Sequence, residues 1–264
     1  MKRWIDAGHI PAARTSGGHR RVTLVDALRY IRARGLAVPH PEYLGIQSPP
    51  PDDALTADAL LDALRAADRA RVQGLIVGAY LAGTPLAAIF DGPVREAAVV
   101  LGEACTTHYD SGVVMEHAAT ALLADALGYL AGVMTPVSEG APLAVGGALP
   151  HDPYSMASQM VALVLADRGW STLNLGAHLP VSALRYAAEQ RGARLVWLSC
   201  SARVGSETYE KIRTLSDGLA ERGVLFVAGG PMRHELDGID GLHLGNSMAD
   251  LLDVIASLQT EAAA

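Results

Sequence analysis

Residues 143–158 read LAVGGALPHDPYSMAS, and the fold turns on what this stretch is. An apolar run ends in a loop with two prolines, a histidine and an aspartate, then passes into the apolar period of a helix, MASQMVALVLADRG. The unit repeats: WSTLNLG precedes PVSALRYAAEQRG, LVWLSCS precedes SETYEKIRTLSDGLAERG, and VLFVAGG and GLHLGN lead to MADLLDVIASLQ. Helices that stop at Gly169, Gly192 and Gly223 carry glycine C-caps, and short strands alternating with amphipathic helices predict a parallel α/β sheet. Ligands of such sheets bind beyond the carboxyl ends of the strands. Those ends are the ALPHDPYS, LGAHLP, SCSARVGS and AGGPMR loops.

Upstream the period is different. Residues 57–134 are helical throughout, with apolar positions three and four apart (Leu60, Leu61, Leu64, then Val114, His117, Ala121), and Gly83-Thr84-Pro85 and Asp91-Gly92-Pro93 as breaks. Four or five helices packed as a bundle are expected. Residues 135–144 and the five-proline segment 39–56 read as linkers. Residues 1–38 read as a short helix, a hairpin turned at Gly17-Gly18 and a second helix from Leu24 to Arg34 with Asp26 in its first turn.

Charge separates the same parts. Residues 1–38 hold eight basic side chains against Asp6 and Asp26, a net of +6, so the rest must carry −13 to bring the chain of 264 residues to −7. A basic head on an acidic body suits a polyanion partner for the head. Two cysteines, Cys105 and Cys200, exclude a disulfide framework, and no apolar run nears the roughly eighteen residues of a membrane span. MKRWIDAG has no secretory h-region. A cytoplasmic protein without a membrane partner is expected.

Three features carry a resemblance to a family. WIDAGHIPAARTSGGHRRV, with Trp4 opening it and T-x-GGHRR in the hairpin, is similar to the second half of a MerR-type DNA-binding head. LNLGAHLP, Ser199-Cys200-Ser201 and Gly229-Gly230 match a B12-binding domain, and Glu116-His117 match the pair in its helical cap. The chain therefore resembles the light- and cobalamin-responsive regulators of the MerR superfamily. The resemblance implies a partial winged helix-turn-helix (1–38), a four-helix-bundle cap (57–134) and a Rossmann-like, flavodoxin-like α/β domain (145–260). It implies phosphate contacts from Arg3, Arg14, Arg20 and Arg21 beside His19 and Trp4. It also implies a corrin between cap and α/β domain, with its nucleotide tail threaded into the sheet past small residues and within reach of the hydroxyls of Ser199 and Ser201.

Two positions depart from that pattern. The family's D/E-x-H-x-x-G falls on Asp152 to Ala157, so Tyr154 stands where a histidine would ligate cobalt. A phenol of pKa ~10 is a poor ligand for cobalt, whereas haem iron accepts tyrosinate. His151 lies three residues earlier as another possible axial ligand. In the cap, Thr106 replaces the family's tryptophan and removes on the order of 200 Å² of aromatic surface. The cofactor expected by family is cobalamin (adenosylcobalamin). The substitutions add biliverdin, alone or with cobalamin, and haem.

The function that follows is a non-enzymatic, ligand-sensing transcriptional regulator, with light as a candidate signal, DNA as partner and a homo-oligomeric state. The alternatives are a corrinoid carrier of a methyltransferase and an antirepressor working through protein contacts. No Ser-His-Asp set, phosphate loop or metal cluster is found to support other chemistry.

Overall fold

In a computed structural model of the chain, residues 2–36, 54–107 and 109–261 are described, and they form two compact units that divide at Thr135/Pro136. Most of the segment expected as the first linker, residues 39–53, lies outside the described residues.

The first unit opens with α1 (Lys2–Asp6) and an antiparallel hairpin, β1 (Ala13–Arg14) with β2 (Arg20–Arg21). Gly18 turns it at φ +81°, and Thr15 Oγ1 accepts from His19 N at 3.1 Å. Helix α2 (Leu24–Ala33) starts on Thr23, whose Oγ1 accepts from Asp26 N, while Asp26 Oδ2 accepts from the Thr23 hydroxyl at 2.6 Å. This reciprocal cap explains the acid in the first turn.

The bundle comprises α3 (Ala57–Arg65), α4 (Arg69–Leu81), α5 (Leu86–Ile89), α6 (Arg95–Thr107) and α7 (Tyr109–Val133). Thr56 and Asp68 cap α3 and α4 through Ala59 N and Arg71 N. Gly83-Thr84-Pro85 breaks the chain as expected. Asp91-Gly92-Pro93 only kinks it, because Phe90–Val94 passes from α5 to α6 as a π-turn with Gly92 out of the helical region. Where α6 meets α7, a Cβ on Gly112 would stand 2.8 Å from Cys105 Cα and overlap the Ala104 carbonyl, so glycine permits the close approach.

Helix α2 is seated on this bundle. Leu28 is fully buried, Arg29 Nε donates to the Met134 carbonyl at 2.7 Å, and Arg32 donates to the Tyr80 carbonyl with its guanidinium 3.4 Å from the Tyr80 ring centre. Both carbonyls lie at helix C-termini, Met134 just past α7 and Tyr80 in the last turn of α4, where the macrodipole is negative and carbonyls seek donors.

One sequence expectation needs correction. Helix α7, at 25 residues and a mean hydropathy of 1.2 over its most apolar window, is long and apolar enough to cross a membrane by length and composition. The sequence shows no unbroken apolar run because Asp110, Glu116, His117 and Asp125 interrupt it. Its inward face packs Leu123, Ala126, Leu127 and Leu130 into the bundle, and Asp125 on it pairs with Arg69 at 2.5 Å.

The second unit is the predicted sheet. Strands β3 (Leu143–Ala148), β4 (Ser171–Asn174), β5 (Leu195–Ser199), β6 (Leu225–Gly229) and β7 (Leu242–Gly245) run parallel in the order β4-β3-β5-β6-β7. Helices α8 (Met156–Asp167), α9 (Val181–Arg191), α10 (Ser206–Ala220) and α11 (Met248–Glu261) connect or follow them. This is the flavodoxin-like order, and β3 begins two residues before the expected start of the α/β domain at 145. Gly169, Gly192 and Gly223 all have positive φ, at 84°, 64° and 64°, as C-caps require. The α9/α10 face is apolar, with Val145, Val196, Leu198, Phe226 and Ala228 against Leu184, Ile212 and Leu215. The other face carries small residues beside one large one, and it matters for the site.

Candidate functional site

In the flavodoxin-like order the chain reverses direction of winding between β3 and β5, the point at whose strand ends such sheets hold their ligands. One side chain bridges the two strand ends. Asp152, fully buried in the loop after β3, accepts from Ser201 N at 2.6 Å and Ala202 N at 3.2 Å through Oδ2, and from Tyr154 N at 3.0 Å through Oδ1. Its carbonyl accepts from His178 N in the loop after β4 at 3.0 Å. A single residue thus ties three of the four loops that the strand pattern marked. Burial, and then the charge of Asp152, push the Cys200 thiol well above the usual range, so this cysteine stays a neutral, inert core group.

Ala148, Ser199 and Gly229 are neighbours in register, and Ser199 is 3% exposed with its Oγ lacking any hydrogen-bond partner among the described residues. Gly230 has φ +111°, and a Cβ there would meet the Cys200 carbonyl at 2.6 Å. So Ser199, Gly229 and Gly230 do gather at one edge, as expected, whereas Ser201 contributes its backbone N–H to Asp152. Tyr154 and His151 sit on the same loop with both side chains out in solvent, Tyr154 at 53% exposure. His151 and His178 hold φ of 65° and 52°, a left-handed conformation uncommon for histidine.

One layer deeper, in register, are Gly146, Trp197 and Val227. Trp197 is 1% exposed; its Nε1 donates to Ser158 Oγ at 2.9 Å, and the Ser158 hydroxyl donates to Asn174 Oδ1 at 2.8 Å. The Asn174 oxygen also accepts from Gly176 N at 3.1 Å. Sequence reasoning passed over this chain of contacts. The signal was present in LVWLS, where Trp197 shares the parity, and so the sheet face, of Ser199.

In the first unit, Glu116 and His117 are adjacent on α7. His117 Nδ1 lies 2.9 Å from one Glu116 oxygen, and Thr120 donates to the other at 3.0 Å. The His117 side chain is 76% exposed. Thr106 is exposed on α6 and turns its hydroxyl back to the Glu103 carbonyl. In the head, Arg3, Arg14, Arg21 and His19 are exposed, and Trp4 packs on Tyr30 with ring centres 5.0 Å apart. Arg20 differs from expectation. It is turned away from solvent to Asp6 at 2.5 Å, which joins β2 to α1 and holds the Asp6 carboxyl below its ordinary range. Among the described residues no group of three or more His, Cys, Asp or Glu could hold a metal ion.

No protein-family profile matches the chain, and no curated protein does. Solved structures do. The Methanosarcina barkeri monomethylamine corrinoid protein superposes with a TM-score of 0.56 at 17% identity, over 75% of this chain and 96% of its own. A cobalamin-binding protein from Desulfitobacterium hafniense gives 0.39 at 15% identity, over 77% and 98%. A methanol:cobalamin methyltransferase complex from Methanosarcina barkeri gives 0.40 at 14%, over 86% and 90%. The helices followed by a five-stranded parallel sheet are therefore the fold of that monomethylamine corrinoid protein.

Proposed function

We propose that this chain is a ligand-sensing regulator: a cobalamin-type tetrapyrrole lies at the strand-end edge of the α/β unit, and its presence governs what the basic head can bind. The reading rests on that edge. The Asp152 carboxylate ties two loops there and its main-chain carbonyl a third, and the Ser199 hydroxyl is left without a partner in a buried position, which is costly unless something supplies one. The corrinoid protein that shares the fold supports the ligand class.

The residues do not fit a cobalamin ligated from below by histidine. Tyr154 occupies the position, and a phenol is a poor ligand for cobalt. The ligand is thus held without a protein axial histidine. Adenosylcobalamin is the form expected; biliverdin, alone or beside cobalamin, and haem through Tyr154 are the forms against which it is tested. Asp152 orders the edge, Ser199 supplies a hydroxyl, and the close-packed backbone at Gly230 leaves no room for a side chain there. A second reading, a corrinoid carrier for methyl transfer, is favoured by the same structural likeness. The missing histidine counts against it.

The regulatory part rests on the head. Exposed Arg3, Arg14, Arg21 and His19 suit phosphate contacts, and α2 is fixed to the end of α7, the helix that carries Glu116 and His117. A ligand shifts such an arrangement only if it binds two states with different affinity.

The test uses the full chain, mixed separately with adenosylcobalamin, haem and biliverdin, desalted, and examined by absorbance in darkness and after illumination. Adenosylcobalamin is expected to co-elute; co-elution of none of the three refutes the reading. A gel shift with the gene's own upstream DNA at two salt concentrations addresses the head. Retardation that weakens steeply with salt is expected. No retardation at low salt removes the regulator and leaves an antirepressor.

A further inference from the structure

The α8-facing side of the sheet shows how far a ligand can enter. Its top layer is small: Ala148, Ser199 and Gly229 side by side. Side chains on one face of a strand are two residues apart, so the next layer lies about 6.6 Å deeper. There the opening ends. A Cβ at Gly146 would overlap the Trp197 indole, so the ring lies flat on the β3 backbone in the space glycine leaves. Its N–H is anchored to Ser158 on α8, and Ser158 to Asn174 at the end of β4. Trp197 and Ser158 are 1% and 0% exposed, so the plug is part of the core and not a gate.

An indole has the same bicyclic outline as the benzimidazole that ends the nucleotide tail of cobalamin. The chain's own residue fills, beside the strand ends, the kind of slot that such a tail requires. The single layer above it has room for contact with a hydroxyl, not for a bicyclic base followed by ribose and phosphate.

We infer that this protein recognises its tetrapyrrole by the ring alone, with Trp197 standing in for the nucleotide base, so that a ring without a tail binds as well as one with it. This rests on the reading of the strand-end edge as a tetrapyrrole site and adds which part of the molecule is recognised. It also accounts for Tyr154: a corrinoid whose base is not drawn into the protein keeps that base on cobalt and has no need of a histidine.

The experiment compares aquacobalamin with diaquacobinamide, the same corrin lacking the nucleotide, by absorbance titration of the full chain. Equal affinities within about threefold are expected. Bound cob(II)alamin, examined by EPR, should keep the nitrogen splitting of its own benzimidazole. Trp197→Ala opens the slot and should shift preference to cobalamin by about tenfold or more, with loss of that splitting. Trp197→Phe keeps the slot filled and should behave as the wild type. Cobalamin binding the wild type tenfold tighter than cobinamide, with the nitrogen splitting lost, overturns the inference while leaving the tetrapyrrole site intact. Binding of neither corrinoid, nor of haem or biliverdin, overturns the site and the inference together. The wild-type comparison decides the matter even where Trp197→Ala does not fold.

Discussion

Replacing Asp152 by alanine is the most informative perturbation of the α/β unit. The carboxylate is fully buried and accepts from three main-chain N–H groups, those of Tyr154, Ser201 and Ala202. A hydrogen bond to a charged acceptor contributes roughly 1.5–3 kcal/mol net, and a buried amide left without a partner costs about 1–3 kcal/mol. The Ser201 bond, at 2.6 Å, counts in full. The Ala202 bond is longer, at 3.2 Å, and the Tyr154 amide belongs to an exposed residue, so each counts at the low end. Removing the charge also relieves the desolvation of a buried carboxylate, which offsets part of the loss. A net destabilisation of about 3 kcal/mol results. With a urea slope near ~2 kcal/mol/M, the unfolding midpoint should fall by about 1.5 M. Tryptophan fluorescence reads this unit well, because Trp170 and Trp197 are both buried in it and Trp4 alone lies in the head. Asp152→Asn, which keeps one acceptor oxygen and turns an NH₂ toward a donor, should lose about 2 kcal/mol. A midpoint change below about 0.3 M for Asp152→Ala, measured under the same conditions, would show that the three amides find other partners and that the carboxylate does not hold the loops.

Three further expectations are open to simple measurement. Gly230→Ala places a Cβ 2.6 Å from the Cys200 carbonyl at φ +111° and should cost at least about 2 kcal/mol in the same urea assay; a neutral result would mean that the β6 end relaxes freely. Of the two thiols, half-buried Cys105 should react with an aromatic disulfide reagent in the native protein while Cys200, with its raised pKa, reacts only on unfolding, even at pH ~9; two native thiols reacting alike would contradict the burial of the β5 end. Thr23→Ala removes the cap of α2 and should lower the stability of the first unit by about 1 kcal/mol, seen as increased amide exchange in residues 24–33 and not in α3–α7; uniform exchange would show that the head and bundle unfold as one.

The α/β unit was legible because its signals are local. Strand and helix periods differ, and the glycines at 169, 192 and 223 mark where each helix must turn back. The strand-end loops followed, and with them the buried Asp152 and Ser199. What escaped depends on distant partners. That Arg20 answers Asp6, or that Arg29 and Arg32 reach the ends of α7 and α4, is a matter of which surfaces meet, and spacing along the chain does not carry it. The kink at Gly92 escaped for a different reason: Asp-Gly-Pro ends most helices, but here a π-turn absorbs the proline and lets α6 continue from α5. Trp197 was in plain view in the strand. Its importance came from the empty side of Gly146, fifty-one positions earlier and adjacent in register.

The seat of α2 has a bearing on how this protein can evolve. Both of its arginines are received by main-chain oxygens, at Met134 and Tyr80, and no substitution at those sites deletes a carbonyl. Drift in bundle side chains therefore leaves the two acceptors in place, whereas a small slide or rotation of α4 or α7 carries a receiving oxygen out of reach. These two hydrogen bonds are insensitive to the identity of the receiving residue and sensitive to helix position, whereas the stacking of Arg32 on the Tyr80 ring and the burial of Leu28 still depend on side chains. That makes the pair of bonds a gauge of bundle geometry which lineages can keep while the residues around it change.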